Sequence, residues 1–155
     1  MTLKIDPLNE PVSRMPQLEC LSVAESTSFG KALGLMRQAN AGSVLVCKSK
    51  RLLGWLTQRR ILEKFAIERV SPKTPVGKLM ARDPVTIGPE TTVGQAAGLM
   101  RRKDLRGLPV VDAKGLLLGL VTAGRIVRFV AANYPLEIMN LPPEPRRLAE
   151  EVEGA

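Results

Sequence analysis

The chain contains no histidine. That removes imidazole triads, histidine proton shuttles and histidine-based metal clusters from consideration. Aromatic residues are scarce as well, with three Phe, one Trp and one Tyr in 155 residues. Any core must therefore be built from Leu, Val, Ile, Ala and Met, and few rings are available to stack on nucleic-acid bases. Of the two cysteines, neither Cys20 nor Cys47 lies in a CxxC pair or beside another sulfur or imidazole in the sequence. They read as reduced thiols rather than a disulfide or metal framework. Long apolar runs are missing. The longest, LLLGLVTAG from Leu116, is far too short to cross a bilayer, and MTLKIDPLNEP at the start lacks the apolar centre of a secretory signal. These absences predict a soluble, cytoplasmic protein that needs no membrane.

Acidic charge is the next shortage. The formal net charge is +8, and it is unevenly spread. Residues 135–155 carry Glu137, Glu144, Glu150, Glu151 and Glu153 against Arg146 and Arg147, a net −3, which leaves +11 on the rest. Such a body attracts anions, although the charge alone is equally well explained by solubility. Pro135, Pro142, Pro143 and Pro145 break any continuous helix in the same segment. It reads as an acidic, solvated tail.

What the chain does have is a repeat. GKALGLM (Gly30–Met36) returns as GQAAGLM (Gly94–Met100), offset by 64. GSVLV (Gly42–Val46) matches GLPVV (Gly107–Val111), and LLGWLTQRRIL (Leu52–Leu62) matches LLGLVTAGRIV (Leu117–Val127), both offset by 65. One inserted residue aligns the copies, so this is a duplicated half-domain. In each copy Phe29, Ala32, Leu33 and Met36, or Val93, Ala96, Ala97 and Met100, fall on one helical face. Thr92 and Gln95 predict a capping box, of which Ser28 and Lys31 keep only half. The paired glycines Gly30/Gly34 and Gly94/Gly98 predict close helix approach. Two short strands follow, joined as a hairpin (LPVVD, AKG, LLLGLVT in the second copy), then a second helix, RRILEKFAIERV or GRIVRFVAAN. Leading strands at Leu21 and Val85 complete the order β-α-β-β-α, twice, an α/β (α+β) architecture.

The stretch KLMARDPVTIGPETTVGQAAGLMRRKDLRGLPVVDAKGLLLGLVTAGRIV closely resembles a CBS domain, and the first copy shares GSVLV and GWLT with it. The resemblance implies a tandem pair with pseudo-twofold symmetry, at residues 15–70 and 79–134, followed by the tail 135–155. It further implies two clefts between the repeats, assembly into a homodimer, and regulation of a separate protein without catalysis. No cofactor is required, but AMP, ADP, ATP, NAD or S-adenosylmethionine are the ligands such clefts commonly hold.

The family's ligand motif is GhhTxxD, whose Thr and Asp contact ribose and phosphate. Here it reads Gly54, Thr57, Arg60 and Gly119, Thr122, Arg125. The threonine is kept twice and the acid is replaced by arginine twice. Each threonine is also explained as a helix N-cap, which places the arginine at the third helical position. A cation there opposes the helix dipole by about 0.3–1 kcal/mol, which a solvated arginine tolerates, while its repetition favours an anionic partner. That partner is either a phosphate held with the helix N–H groups, placed first, or a protein carboxylate that closes the cleft. Arg106 and Gly107 lie at the same rim, and Ser22 and Thr86 in the leading strands line the clefts. Thr57, Arg60, Thr122, Arg125, Thr86, Arg106, Gly107 and Ser22 are thus the candidate ligand residues. The functions in play are a nucleotide sensor, a ligand-blind assembly scaffold and, disfavoured by the scarcity of aromatics, nucleic-acid binding. No nucleophile–base pair or P-loop supports an enzyme.

Overall fold

In the computed structural model, residues 6–16 and 18–134 are described; the readings of the acidic tail fall outside them. The first repeat forms β1 (Ser22–Val23), α1 (Phe29–Ala39), β2 (Val44–Lys48), β3 (Arg51–Leu56) and α2 (Gln58–Leu62). After β4 (Ala81–Arg82), the second forms α3 (Val93–Lys103), β5 (Gly107–Val111), β6 (Leu117–Thr122) and α4 (Ala123–Asn133). The first sheet has the order β1-β2-β3-β4, with β1 parallel to β2 and the other pairs antiparallel. The second is the β5-β6 hairpin. It is flanked by Ile87, bridged in parallel to Val110, and by Leu18, whose carbonyl accepts from the Leu120 N–H at 2.8 Å.

The first helix of each copy begins as its sequence predicts. Ser28 Oγ accepts from Lys31 N–H, and Thr92 with Gln95 forms the full reciprocal box. Asn40 and Asp104 close α1 and α3 in the left-handed region, at φ 50° and 51°, where short polar side chains are tolerated. Three local expectations change. The long second helix of the first copy becomes the short α2, continued by a π-helical turn over Glu63–Ile67. Phe65 in that turn sits with its ring centroid 6.2 Å from that of Phe29. The leading strand at Val85 reduces to the single Ile87 bridge. Ile87 donates to the Pro109 carbonyl, and the preceding bond of a parallel ladder would need an N–H that Pro109 lacks. The glycine pairs do not mark helix–helix contact either. A Cβ on Gly30 would lie 3.2 Å from Pro72 Cβ and one on Gly94 3.1 Å from the Leu8 carbonyl oxygen, so the first of each pair admits a connecting segment. Gly34 has no neighbour within 4 Å.

The core explains how the halves hold together. Val12 and Met15, at the start of the first repeat, are buried with Val93, Ala96, Met100, Leu108, Val110, Val121, Ile126 and Phe129 of the second. Val76, Leu79 and Met80, at the start of the second repeat, are buried with Phe29, Ala32, Val44, Val46 and Leu56 of the first. Each half thus receives the lead segment of the other. Two glycines make room for this exchange. A Cβ on Gly54 would collide with Met80 and approach the Ala81 carbonyl oxygen to 2.8 Å, and one on Gly119 would collide with the Leu18 backbone. A third cluster, Leu45, Trp55 and Leu120 with Cys20, Leu52 and Leu117 against it, joins the two sheets. The hairpin tips also meet, with Leu117 N–H donating to the Lys50 carbonyl at 2.8 Å.

Candidate functional site

Each repeat turns from its last strand into a helix at a threonine. Thr57 Oγ1 accepts from the Arg60 N–H at 3.3 Å, and Thr122 Oγ1 accepts from the Arg125 N–H at 3.2 Å. Both threonines are N-caps, and the arginines stand at the third helical position as the spacing predicts. Their guanidinium groups each donate to a main-chain carbonyl. Arg60 Nε donates to the Leu79 carbonyl at 2.6 Å and Arg125 Nη1 to the Leu120 carbonyl at 2.7 Å. Among the described residues the ion pairs are Arg14–Glu10, Arg59–Glu63 and Lys64–Glu68, so neither arginine meets a carboxylate there. In place of the carboxylate weighed as the second possible partner, each arginine meets a main-chain carbonyl. Each guanidinium has further N–H groups beyond the one used, since arginine carries five.

The remaining candidates divide. Gly107 pairs with Thr122 across β5 and β6, and the Arg106 carbonyl accepts from the Ala123 N–H at 3.0 Å, so Arg106, Gly107, Thr122 and Arg125 surround the start of α4. Thr57 and Arg60 surround the start of α2, with Leu79 beside them. Ser22 and Thr86 are exposed. Ser22 lines a cavity of about 380 Å³ together with Glu19, Cys20, Cys47, Lys50, Leu117 and Leu118. Arg125 lines a second cavity, of about 220 Å³, with Pro16, Arg128, Phe129, Ala132 and Asn133. Thr57, Arg60, Thr86, Arg106, Gly107 and Thr122 line neither of the two.

Two features escaped the sequence reading. Cys20 and Cys47, far apart in the chain, share the wall of the larger cavity as free thiols. Burial pushes both thiols up from their usual range. The Arg125 guanidinium partly offsets this for Cys20, while Cys20 itself adds to the rise at Cys47. The second feature is Trp55. It is 9% exposed, and its indole N–H is buried without an acceptor among the described residues. Leaving such a donor unpaired costs about 1–3 kcal/mol. The available signal was the mismatch between Trp55 and Leu120 at corresponding places in two otherwise similar segments.

The arrangement can attract an anion and offer it guanidinium donors beside an apolar wall, and among the described residues no cluster of three or more metal-binding side chains occurs. No helix among the described residues is long and apolar enough to cross a membrane.

Comparison with known proteins matches the CBS domain model twice, at residues 12–67 and 76–132. The CBS domain-containing protein CBSX3, mitochondrial, of Arabidopsis thaliana is 34% identical over 116 residues, 71% of this chain and 56% of that protein. An inosine-5'-monophosphate dehydrogenase of Korarchaeum cryptofilum is 34% identical over 117 residues, but the match spans only 23% of the enzyme. The CBS domain-containing protein YhcV of Bacillus subtilis is 31% identical over 103 residues, covering 66% of this chain and 73% of that one. Among solved structures, CBSX2 in complex with AMP superposes with a TM-score of 0.68 at 29% identity, covering 84% of this chain and 98% of that chain. A conserved protein from Pyrococcus horikoshii, at 21% identity and TM-score 0.73, shares the fold over 83% of this chain and 96% of its own.

Proposed function

The chain belongs to the CBS-domain family, and on that premise we propose that it is a regulatory module that binds an adenine nucleotide or a related phosphate-bearing ligand between its two halves. The observation that carries this reading is Arg125. It stands beside Arg128 in a cavity wall, within electrostatic reach of Cys20 in the neighbouring one. A phosphate can accept from guanidinium N–H groups that the Leu120 carbonyl does not use. The AMP complex of the similar CBSX2 supports an adenine nucleotide as the ligand class. The module carries no catalysis of its own in this reading, and it acts in the cytoplasm on a separate protein. Isothermal titration with AMP, ADP, ATP, NAD, S-adenosylmethionine and adenosine, at low and physiological salt, tests it. Saturable binding that needs the phosphate and weakens in Arg125→Ala is expected; silence across the panel sinks the reading.

A second reading, an assembly scaffold blind to ligands, has its own support. Both threonine hydroxyls and both arginines already have partners inside the chain. Leu62, Phe65 and Ile67 after β3, and Val127 on α4, are more than half exposed. Large apolar side chains held in water favour burial against another surface. We assign these to the contact of a homodimer, in either reading. Sedimentation of Ile67→Glu and Val127→Glu is expected to show monomers where the parent chain is dimeric. A monomeric parent would end the assignment.

A further inference from the structure

The two hairpin tips form a surface away from both N-cap threonines. Lys48 pairs with Arg51 across the first tip, and Ser49 and Lys50 between them have φ of 49° and 66°. This is a two-residue turn with both central residues left-handed, a geometry that fixes Lys50 at the end of the sheet. The second tip folds around Asp112, whose Oδ1 accepts from the Lys114 and Leu116 N–H groups at 2.8 and 2.9 Å. The tips are also tied to each other. Leu117 N–H donates to the Lys50 carbonyl, Leu52 N–H donates to the Gly115 carbonyl, and Arg51 bridges to Leu116. The Arg51 guanidinium lies over the second turn, its Nη1 3.1 Å from a Cβ placed on Gly115. Lys48, Lys50, Arg51 and Lys114 thus gather from both halves, and none is in an ion pair among the described residues.

Lys50 also stands on the wall of the larger cavity. It and Glu19 are the charged groups there, and Leu117 and Leu118 form the apolar side, with Leu118 50% exposed. Four cations beside a half-exposed leucine fit a segment that carries several acids and an apolar residue. The chain has such a segment of its own. Leu148-Ala149-Glu150-Glu151-Val152-Glu153 combines three carboxylates with Leu148 and Val152 and contains no cation. Leu148 is 15 residues beyond Asn133, the end of α4, a stretch that spans at most about 50 Å. A body of this size has a radius of gyration of about 14 Å, so the tips are within reach. The cavity beside Arg125 and Arg128 is smaller and has no leucine on its wall.

We propose that the joined tips and the larger cavity are the docking surface for the chain's own acidic segment, residues 148–153. Glu150, Glu151 and Glu153 meet the cations of the tips, and Leu148 and Val152 cover Leu117 and Leu118. Cys20 and Cys47 are free thiols on the same cavity wall, so they report whether it is covered. The test is the rate of iodoacetamide alkylation of each thiol in the full chain, mapped by mass spectrometry at fixed pH. Glu150→Lys/Glu151→Lys/Glu153→Lys is expected to raise both rates about fivefold, the effect of losing several exposed ion pairs. Leu148→Ser/Val152→Ser keeps the charge and should raise them too, which separates shielding from a shift in thiol ionisation. Adding Lys48→Glu, Lys50→Glu and Lys114→Glu to the reversed segment should restore the slow reaction of the parent. Unchanged rates in both tail variants would overturn the proposal. Parent rates that rise on dilution would give the docked segment to a second copy and overturn docking within one chain.

Discussion

Arg60 and Arg125 stand at the same place in the two halves, three residues after an N-cap threonine, and each donates to a main-chain carbonyl, yet the carbonyls have different origins. Arg60 reaches Leu79, in the lead segment that the second repeat lends to the first half. Arg125 reaches Leu120 of its own hairpin. The strand edges account for the difference. In the first half Trp55 pairs with Ala81 of β4, so that edge is occupied. In the second half the flanking chain supplies Leu18 to the Leu120 N–H, and Arg125 takes up the Leu120 carbonyl. One local motif thus serves two tertiary settings, and the arginine bonds whichever carbonyl its setting leaves available.

The comparison can be broken most forcefully at the sheet junction. Trp55→Ala is expected to cost about 4 kcal/mol in denaturant unfolding and Leu120→Ala about 3 kcal/mol, because the larger ring leaves the larger hole. Equal costs would mean that the indole is not packed more extensively than its counterpart. The exchanged segments come next. Gly119→Ala meets the Leu18 backbone and should cost about 3 kcal/mol, whereas Gly54→Ala partly meets the flexible Met80 side chain and should cost about 1.5 kcal/mol. A reversed order would contradict the backbone contact at Gly119. Caps give a smaller, symmetric effect: Thr57→Ala and Thr122→Ala should each lose about 1 kcal/mol by thermal melting. A negligible loss in one would remove its hydroxyl from capping.

The thiols provide the smallest and most local test. With both pushed up by burial, alkylation of Cys20 and Cys47 by iodoacetamide should accelerate only at pH above that of an ordinary thiol. Arg125 favours the Cys20 thiolate, so Arg125→Ala should move the Cys20 profile further up and slow its reaction near neutral pH. Peptide mapping by mass spectrometry separates the two sites. A Cys20 profile unmoved by the substitution would mean that the Arg125 charge does not act on that thiol.

Most elements were legible because their signals are short-range. The apolar helix faces, the Thr92–Gln95 box and the hairpin turns depend on neighbours within a few residues, and the 64- and 65-residue offsets show each of them twice. The π-helical continuation of α2 was not legible, since RRILEKFAIERV has the spacing of an uninterrupted helix. The lead-segment exchange had a faint signal, Val12 and Met15 matching Val76 and Leu79 at an offset of 64, but which half each segment enters is a question of long-range packing. The carbonyl partners of the arginines left no trace, because any residue supplies a carbonyl.

By itself, then, the sequence determined a duplicated β-α-β-β-α unit, the N-cap threonines and the paired cations at the third helical positions, because hydrogen bonding within a turn and burial along one face are properties of adjacent residues. Only the tertiary structure decided that the two copies are unequal. Trp55 against Gly107 and the exchange of lead segments each join residues distant in the chain, and those contacts follow from how two sheets pack face to face.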